Sequence, residues 1–306
     1  MMTGSIGTRD WGLGSREGLG TVKGLFFFLC SFFFVICYLP AMEWPTSDAA
    51  LVRNFGFNDQ GKPVLGSVFV GEGAALAAEA GELVFCRKSE DARSRLPSPL
   101  GAWAAIDHGD GLMSIYSRLD DEALSPQERL ERSSPVGQAG ISGWSDRKGF
   151  YFILYDKLKR CWVNPLMIIS PLPDTRPPQI LAVELRDLRG RPTGQVRNLS
   201  QGRYTVTVNA IDTMLNAREQ PLAPYRIICS INGTEIGSLN FETLSARDGI
   251  LQANRSGIVP AKNVYAPFPA YEAGEAVLSR GQATLEVIVQ DIAGNSSRSV
   301  TRLQVE

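Results

Sequence analysis

Beyond residue 50 the apolar residues recur in short runs broken by glycine, at 63–70, 81–86, 103–106, 112–116 and 150–155, without the three-to-four spacing of a helix. Such runs, four to eight residues long, predict strands, and the fold class expected is all-β. Asp107-His-Gly-Asp-Gly111 separates two of them and has the Asx-plus-glycine chemistry of a tight hairpin turn, which makes His108 a turn residue. The stretch 120–134, with Ser125-Pro126 and Gln127-Glu-Arg-Leu-Glu-Arg132, reads as a loop carrying one helical turn.

Pro171-Leu-Pro-Asp-Thr-Arg-Pro-Pro178 packs four prolines into eight residues. Proline removes backbone donors and restricts the residue before it, so 171–178 is expected to be a linker. Beyond it, 180–185, 202–210, 225–231 and 283–291 alternate apolar with polar, and 299–305 closes the set. With turns at Asn232-Gly233 and Ala293-Gly-Asn295, these predict a second, sandwich-like β domain over 179–306.

The first 42 residues read differently. The uncharged run Leu25-Phe-Phe-Phe-Leu-Cys-Ser-Phe-Phe-Phe-Val-Ile-Cys-Tyr-Leu39 follows Lys23 and precedes Pro40-Ala41, the layout of an export signal. Cleavage near Ala41 is the first expectation and a retained membrane anchor at 25–39 the second; either places the chain in the periplasm or cell envelope. The glycines of 12–20 lack a preceding strand or a following Gly-Lys-Ser/Thr, and read as an unstructured leader. Two of the five cysteines lie in the apolar run, leaving Cys86, Cys161 and Cys229, too few for a disulfide scaffold; a Cys86–Cys161 pair is left open. With 31 basic against 32 acidic side chains there is no footprint for nucleic acid.

Within 50–170, four segments occur in an order that resembles the M23 (LytM, lysostaphin-like) zinc peptidases of cell-wall cross-links. They are Ala77-Ala-Glu-Ala-Gly-Glu-Leu-Val-Phe85, Ile106-Asp-His-Gly-Asp-Gly-Leu-Met-Ser-Ile-Tyr-Ser-Arg-Leu119, Val136-Gly-Gln-Ala-Gly-Ile-Ser-Gly143 and Trp162-Val-Asn-Pro165. The resemblance implies an antiparallel β core holding zinc through a His-x-x-x-Asp motif and the second histidine of a His-x-His. The ligand posts of the first motif map onto Val64 and Val68, the His-x-His onto Phe150-Tyr-Phe152, and the histidine of the family's Tyr-x-His-Leu onto Arg118. Valine and phenylalanine cannot bind zinc, and arginine stays protonated at neutral pH. The only histidine, His108, falls in a turn that the family holds away from its metal.

The resemblance thus implies a hydrolase fold without its hydrolase chemistry, with no cofactor, and a groove that binds peptidoglycan or a cell-wall amidase or hydrolase. Candidate groove residues are Tyr116, Arg118, Trp144, Asp146 and Tyr151, aromatics for stacking and Arg118 for a carboxylate. Two alternatives stand beside it: an active enzyme with metal held by Glu72, Glu79, Asp107 and Asp110, and an architectural docking module. Residues 179–306 resemble a bacterial immunoglobulin-like sandwich through Gly202-Arg-Tyr-Thr-Val-Thr-Val-Asn-Ala-Ile-Asp212 and Asp291-Ile-Ala-Gly-Asn-Ser296.

Overall fold

A computed structural model describes residues 41–89, 97–193, 198–214 and 220–306. The leader and the apolar run at 25–39 lie outside the described residues. Residues from Pro40 to Glu306 form one compact unit.

The described chain is all-β. Its long strands are β1 (Ala50–Arg53), β2 (Ser67–Val70), β3 (Gly81–Arg87), β4 (Ala102–Asp107), β5 (Leu112–Leu119), β6 (Gly149–Asp156) and β7 (Cys161–Val163). Past the proline-rich stretch come β8 (Gln179–Arg186), β9 (Gly202–Ile211), β10 (Arg226–Ile231) and β11 (Thr234–Arg247). They are followed by β12 (Ile250–Arg255), β13 (Ala270–Leu278), β14 (Gly281–Gln290) and β15 (Ser296–Val305). Residues 171–178 carry no regular element, and the stretch 120–134 departs from expectation. Instead of a helical turn it supplies Arg129–Leu130 as an extended pair with Gly81 and Glu82, so the free edge of β3 captures its backbone.

Antiparallel pairing runs β15-β14-β10-β11-β7-β6-β5-β4-β3, and β8-β9-β13 form a second sheet. In β9 and β14 the alternation is visible in burial. Tyr204, Val206, Val208 and Ala210 turn inward from one sheet; Ala283, Leu285, Val287 and Val289 turn inward from the other. They meet in a single core with Leu185, Ile227, Leu239, Tyr271 and Leu303. Each buried aliphatic side chain there contributes on the order of 1.5–3 kcal/mol.

Strand β7 carries the pairing from one half of the chain to the other, with Cys161, Trp162 and Val163 opposite Ser245, Leu244 and Thr243. Side chains reinforce the junction. Asn54 and Ala223 exchange two hydrogen bonds, Nδ2 donating to the Ala223 carbonyl at 2.9 Å and Oδ1 accepting from its N–H at 2.7 Å. Asn58 Nδ2 donates to the carbonyls of Ala266 and Ala270 at 2.6 and 2.9 Å. Both asparagines are buried, where an unpaired amide is costly, so these contacts fix the approach of the segments. Phe55, wholly buried, packs into the core of the C-terminal sheets.

Strand β6 is the hub of the N-terminal half. One edge pairs with β5 along its length, while the other is divided between β2 at its start and β7 at its end. Cys86, Cys161 and Cys229 are all free thiols, so Cys86 and Cys161 are not bonded.

Candidate binding groove

Three side chains in register across β2, β6 and β5 lie beside the groove, and Val68 among them lines it. Tyr151 stands between Val68 on one neighbour and Ser117 on the other. Val64 and Val68 pack with Phe57 and Ala223 in a small apolar cluster against which Tyr151 rests. The Tyr151 hydroxyl accepts a hydrogen bond from the Leu65 N–H at 2.7 Å, fixing the ring, and burial holds its phenol well above the usual tyrosine range.

Arg118 reaches this surface through a bulge. Strand β4 pairs Ala102 with Leu119 and Trp103 with Ser117, which leaves Arg118 as the extra residue of β5. Its φ is 66°, a left-handed conformation that most side chains avoid, and its N–H donates to the Leu100 carbonyl at 2.7 Å. The guanidinium lies over the Tyr151 ring, 5.3 Å from its centroid, a cation–π contact. Its Nε is sealed from solvent and has no hydrogen-bond partner. Burial above all, with Arg53 adding to it, holds the Arg118 pKa below the usual arginine value, although the group stays charged.

Around Arg118 opens a groove of about 210 Å³ whose polar walls include Arg53, Asp146 and Arg147 and whose apolar lining includes Val52, Phe57 and Val68. Arg53 bonds Asp59 at 3.0 Å and lies 5.8 Å from the Phe57 ring centroid. Arg147 sits 3.9 Å from Asp146, both well exposed, so that pair holds little energy. Of the three arginines that line the groove, Arg118 is the one with a buried unpaired nitrogen, a planar fork beside the Tyr151 ring, suited to a carboxylate.

The structure brings Val64, Val68, Arg118 and Tyr151 together and places Asp146 at the groove wall. Phe150 and Phe152 behave differently. Phe150 borders the groove, but strand alternation turns both rings into the core on the opposite face from Tyr151, Phe150 stacked on Phe69 at 5.0 Å and Phe152 against Tyr116 at 5.1 Å. It is Tyr151, one residue off the posts assigned by spacing, that faces Arg118. Tyr116 is also withdrawn from the groove: it is wholly buried and its hydroxyl accepts from the Ala78 N–H at 2.8 Å. Trp144, 77% exposed, occupies the loop before β6 and does not line the groove. Arg53, Asp59 and Arg147 escaped sequence reasoning because nothing in the spacing of a charged residue near a glycine turn tells which sheet face it will reach.

His108 occupies the hairpin turn between β4 and β5, where its N–H donates to the Leu112 carbonyl at 3.0 Å. The ring is half-buried, Nδ1 3.0 Å from the Ala80 carbonyl and Nε2 2.7 Å from Ser114 Oγ. Burial pushes its pKa below the ordinary value, against the pull of the Ala80 carbonyl, Glu79 and Asp107. The carboxylates considered as metal ligands are engaged separately. Glu79 pairs with Arg132, Asp107 with Lys157, and Glu72 with Lys148 at 3.5 Å, while Asp110 sits in the turn at φ 46°. The Lys157 hydrogen bond is the main influence that holds Asp107 below the usual carboxylate range. Burial raises Glu79, but hydrogen bonds from Arg132 and Ala80 outweigh it and keep the group low.

A family model matches residues 177–306, less than half of the chain. No curated protein sequence matches. Among solved structures, a chain of the SpoIIQ–SpoIIIAH pore-forming complex is 17% identical with a TM-score of 0.35, covering 42% of this chain and 91% of its own. The catalytic domain of the prophage-encoded M23 protein EnpA from Enterococcus faecalis is 18% identical at a TM-score of 0.33, covering 40% of this chain and 94% of its own. The peptidase lysostaphin from Staphylococcus simulans is 12% identical at a TM-score of 0.33, with coverages of 77% and 98%.

Proposed function

We propose that the protein is a non-catalytic component of the cell envelope whose groove at Arg118 binds a carboxylate-bearing peptide, either of peptidoglycan or of a cell-wall hydrolase. The observation that carries this reading is the state of Arg118. A guanidinium held in a left-handed bulge, with a buried Nε that no protein group satisfies, is strained, and its contact with the Tyr151 ring compensates it only in part. A carboxylate in the groove would meet the charge through the outer guanidinium nitrogens, since the Nε is closed to solvent. The M23-like order of segments in 50–170 supports the envelope setting, as does the export signal expected at 25–39. Residues 179–306, read as an immunoglobulin-like sandwich, then serve as a presenting module beside the groove.

The test is co-sedimentation of the full chain with purified sacculi, and titration with soluble muropeptides. Retention that falls at least roughly tenfold in Arg118→Ala, as expected on losing a charge-assisted contact, supports the reading. Retention equal in wild type and variant removes the groove from the explanation. Stoichiometric zinc, with muropeptide cleavage that a chelator abolishes, would replace the reading with catalysis.

A further inference from the structure

Three carboxylates outside the groove lining converge, one from the proline-rich stretch and two from the ends of sandwich strands. Asp174, Asp212 and Asp291 each bring an oxygen within 4.8 Å of the other two. Asp212 follows the last residue of β9 and Asp291 that of β14, so two strand ends meet where residues 171–178 cross them. Proximity of like charges is not in itself a site. The second observation is what their oxygens lack.

Asp291 is satisfied: Oδ1 accepts from the Asn295 N–H and Oδ2 from Asn295 Nδ2, both at 2.8 Å. Asp174 Oδ1 accepts from the Arg176 N–H at 3.0 Å. The remaining oxygen of Asp174, Oδ2, is sealed from solvent without a partner. Asp212 is 4% exposed, and its Oδ1 is likewise buried and accepts no hydrogen bond. Two unsatisfied carboxylate oxygens in one cluster of three acids are a large cost to the fold unless a positive charge meets them.

We infer that Asp174, Asp212 and Asp291 hold a hard divalent cation of the Ca2+ class, which pins the proline-rich stretch to the ends of β9 and β14. All the donors are oxygen, which selects Ca2+ or a similar ion over thiolate- and imidazole-seeking metals. Three carboxylates from separate segments suit the flexible shell of Ca2+, whose ligands stand roughly 2.3–2.6 Å from the ion, better than Mg2+, which keeps several waters and takes one or two carboxylates. Burial, together with Asp291 and Asp174, pushes Asp212 up to about 7, the direction expected of a carboxylate packed among like charges. Asn295 strengthens the arrangement by tying the pieces together, since Nδ2 also donates to the Asp174 carbonyl at 3.1 Å.

The full chain, stripped with a chelator and checked for retained β-sheet signal by circular dichroism, is titrated with CaCl2 in a calorimeter and with Tb3+ by luminescence. Trp44 and Tyr225 line the cleft that Asp174 borders and are positioned to sensitise a bound lanthanide. Wild type is expected to take one Ca2+ and to unfold at higher temperature with Ca2+ than with chelator. Asp212→Asn and Asp174→Asn should each weaken binding roughly tenfold or more and lose the Ca2+-dependent gain. Asp174 is only partly buried, so its variant tests the site even if Asp212→Asn fails to fold. The inference is overturned by a folded wild type with no saturable binding, or by unchanged affinity in the folded variants. It is also overturned if Asp212→Asn is at least as stable as Ca2+-saturated wild type, since relief of repulsion then explains the cluster.

Discussion

The two faces of β6 differ in what they ask of a side chain. Phe150 and Phe152 point into a largely apolar core with Phe69, Tyr116 and Leu154, in which the Tyr116 hydroxyl is paired and Ser67 is the neutral polar neighbour of Phe152. Tyr151, between them in sequence, points the other way, under a charged residue with a buried unpaired nitrogen. One face is organised for stability. The other retains strain and uncompensated charge, which is where a binding role is to be sought.

The sharpest way to break this contrast is to truncate the core face. Phe152→Ala removes a ring that is wholly buried and should cost about 3–5 kcal/mol in denaturant unfolding, enough to threaten the fold. A loss below about 1 kcal/mol would mean that this face is not the core it is taken for. Next, the two tyrosines can be compared by the same chemical change. Tyr116→Phe leaves the buried Ala78 N–H without its acceptor and should cost about 1–3 kcal/mol. Tyr151→Phe orphans the Leu65 N–H in a less enclosed setting and should cost less, about 1 kcal/mol.

Arg118 tests the opposite face directly. Arg118→Gly relieves a left-handed conformation and deletes an unsatisfied nitrogen, so unfolding should show a gain of about 1 kcal/mol while sacculus retention is lost. A clear loss of stability would make Arg118 a structural residue. The smallest effect expected is from His108. Its folded pKa lies below its unfolded value of 6.5, so the unfolded chain binds the proton more readily. Stability is therefore full above pH 6.5 and declines as the pH falls from there toward the folded pKa. A urea series from pH 7.5 to 5 on wild type and His108→Gln checks it; equal slopes would remove His108 as the source.

Much of the fold could be read from the chain. The all-β class, the turn at 107–111 and the strands around 81–86, 112–116, 150–155, 202–210 and 283–291 all follow from period-two alternation and glycine placement. Strands β11, β12 and β13 were not anticipated, because their residues mix polar and apolar side chains with no clean alternation between turn signals. Arg129–Leu130 was expected near a helical turn because its acids and arginines favour one locally; pairing with β3 overrode that preference.

The site was partly legible. The surrounding motif marked Arg118, and the structure places it with Val68 at one groove, Val64 packing behind Val68. Phe150 and Phe152 could not be assigned correctly by counting residues, since a slip of one position in a strand exchanges its two faces. Alternation told that they share a face and that Tyr151 does not. Both faces carry apolar side chains, so only packing against β2 and β5 decided which of them is core.

What the sequence determined by itself is local: where the chain extends, where it turns, and which residues alternate. Those features depend on sterics within a few residues. What the tertiary structure decided is which distant polar groups meet. Asn54 finds Ala223, Arg118 finds Tyr151, and Asp174, Asp212 and Asp291 come within reach of one another from three separate segments. No local propensity encodes those encounters, because their free energy appears only after burial has removed the water that each group would otherwise keep.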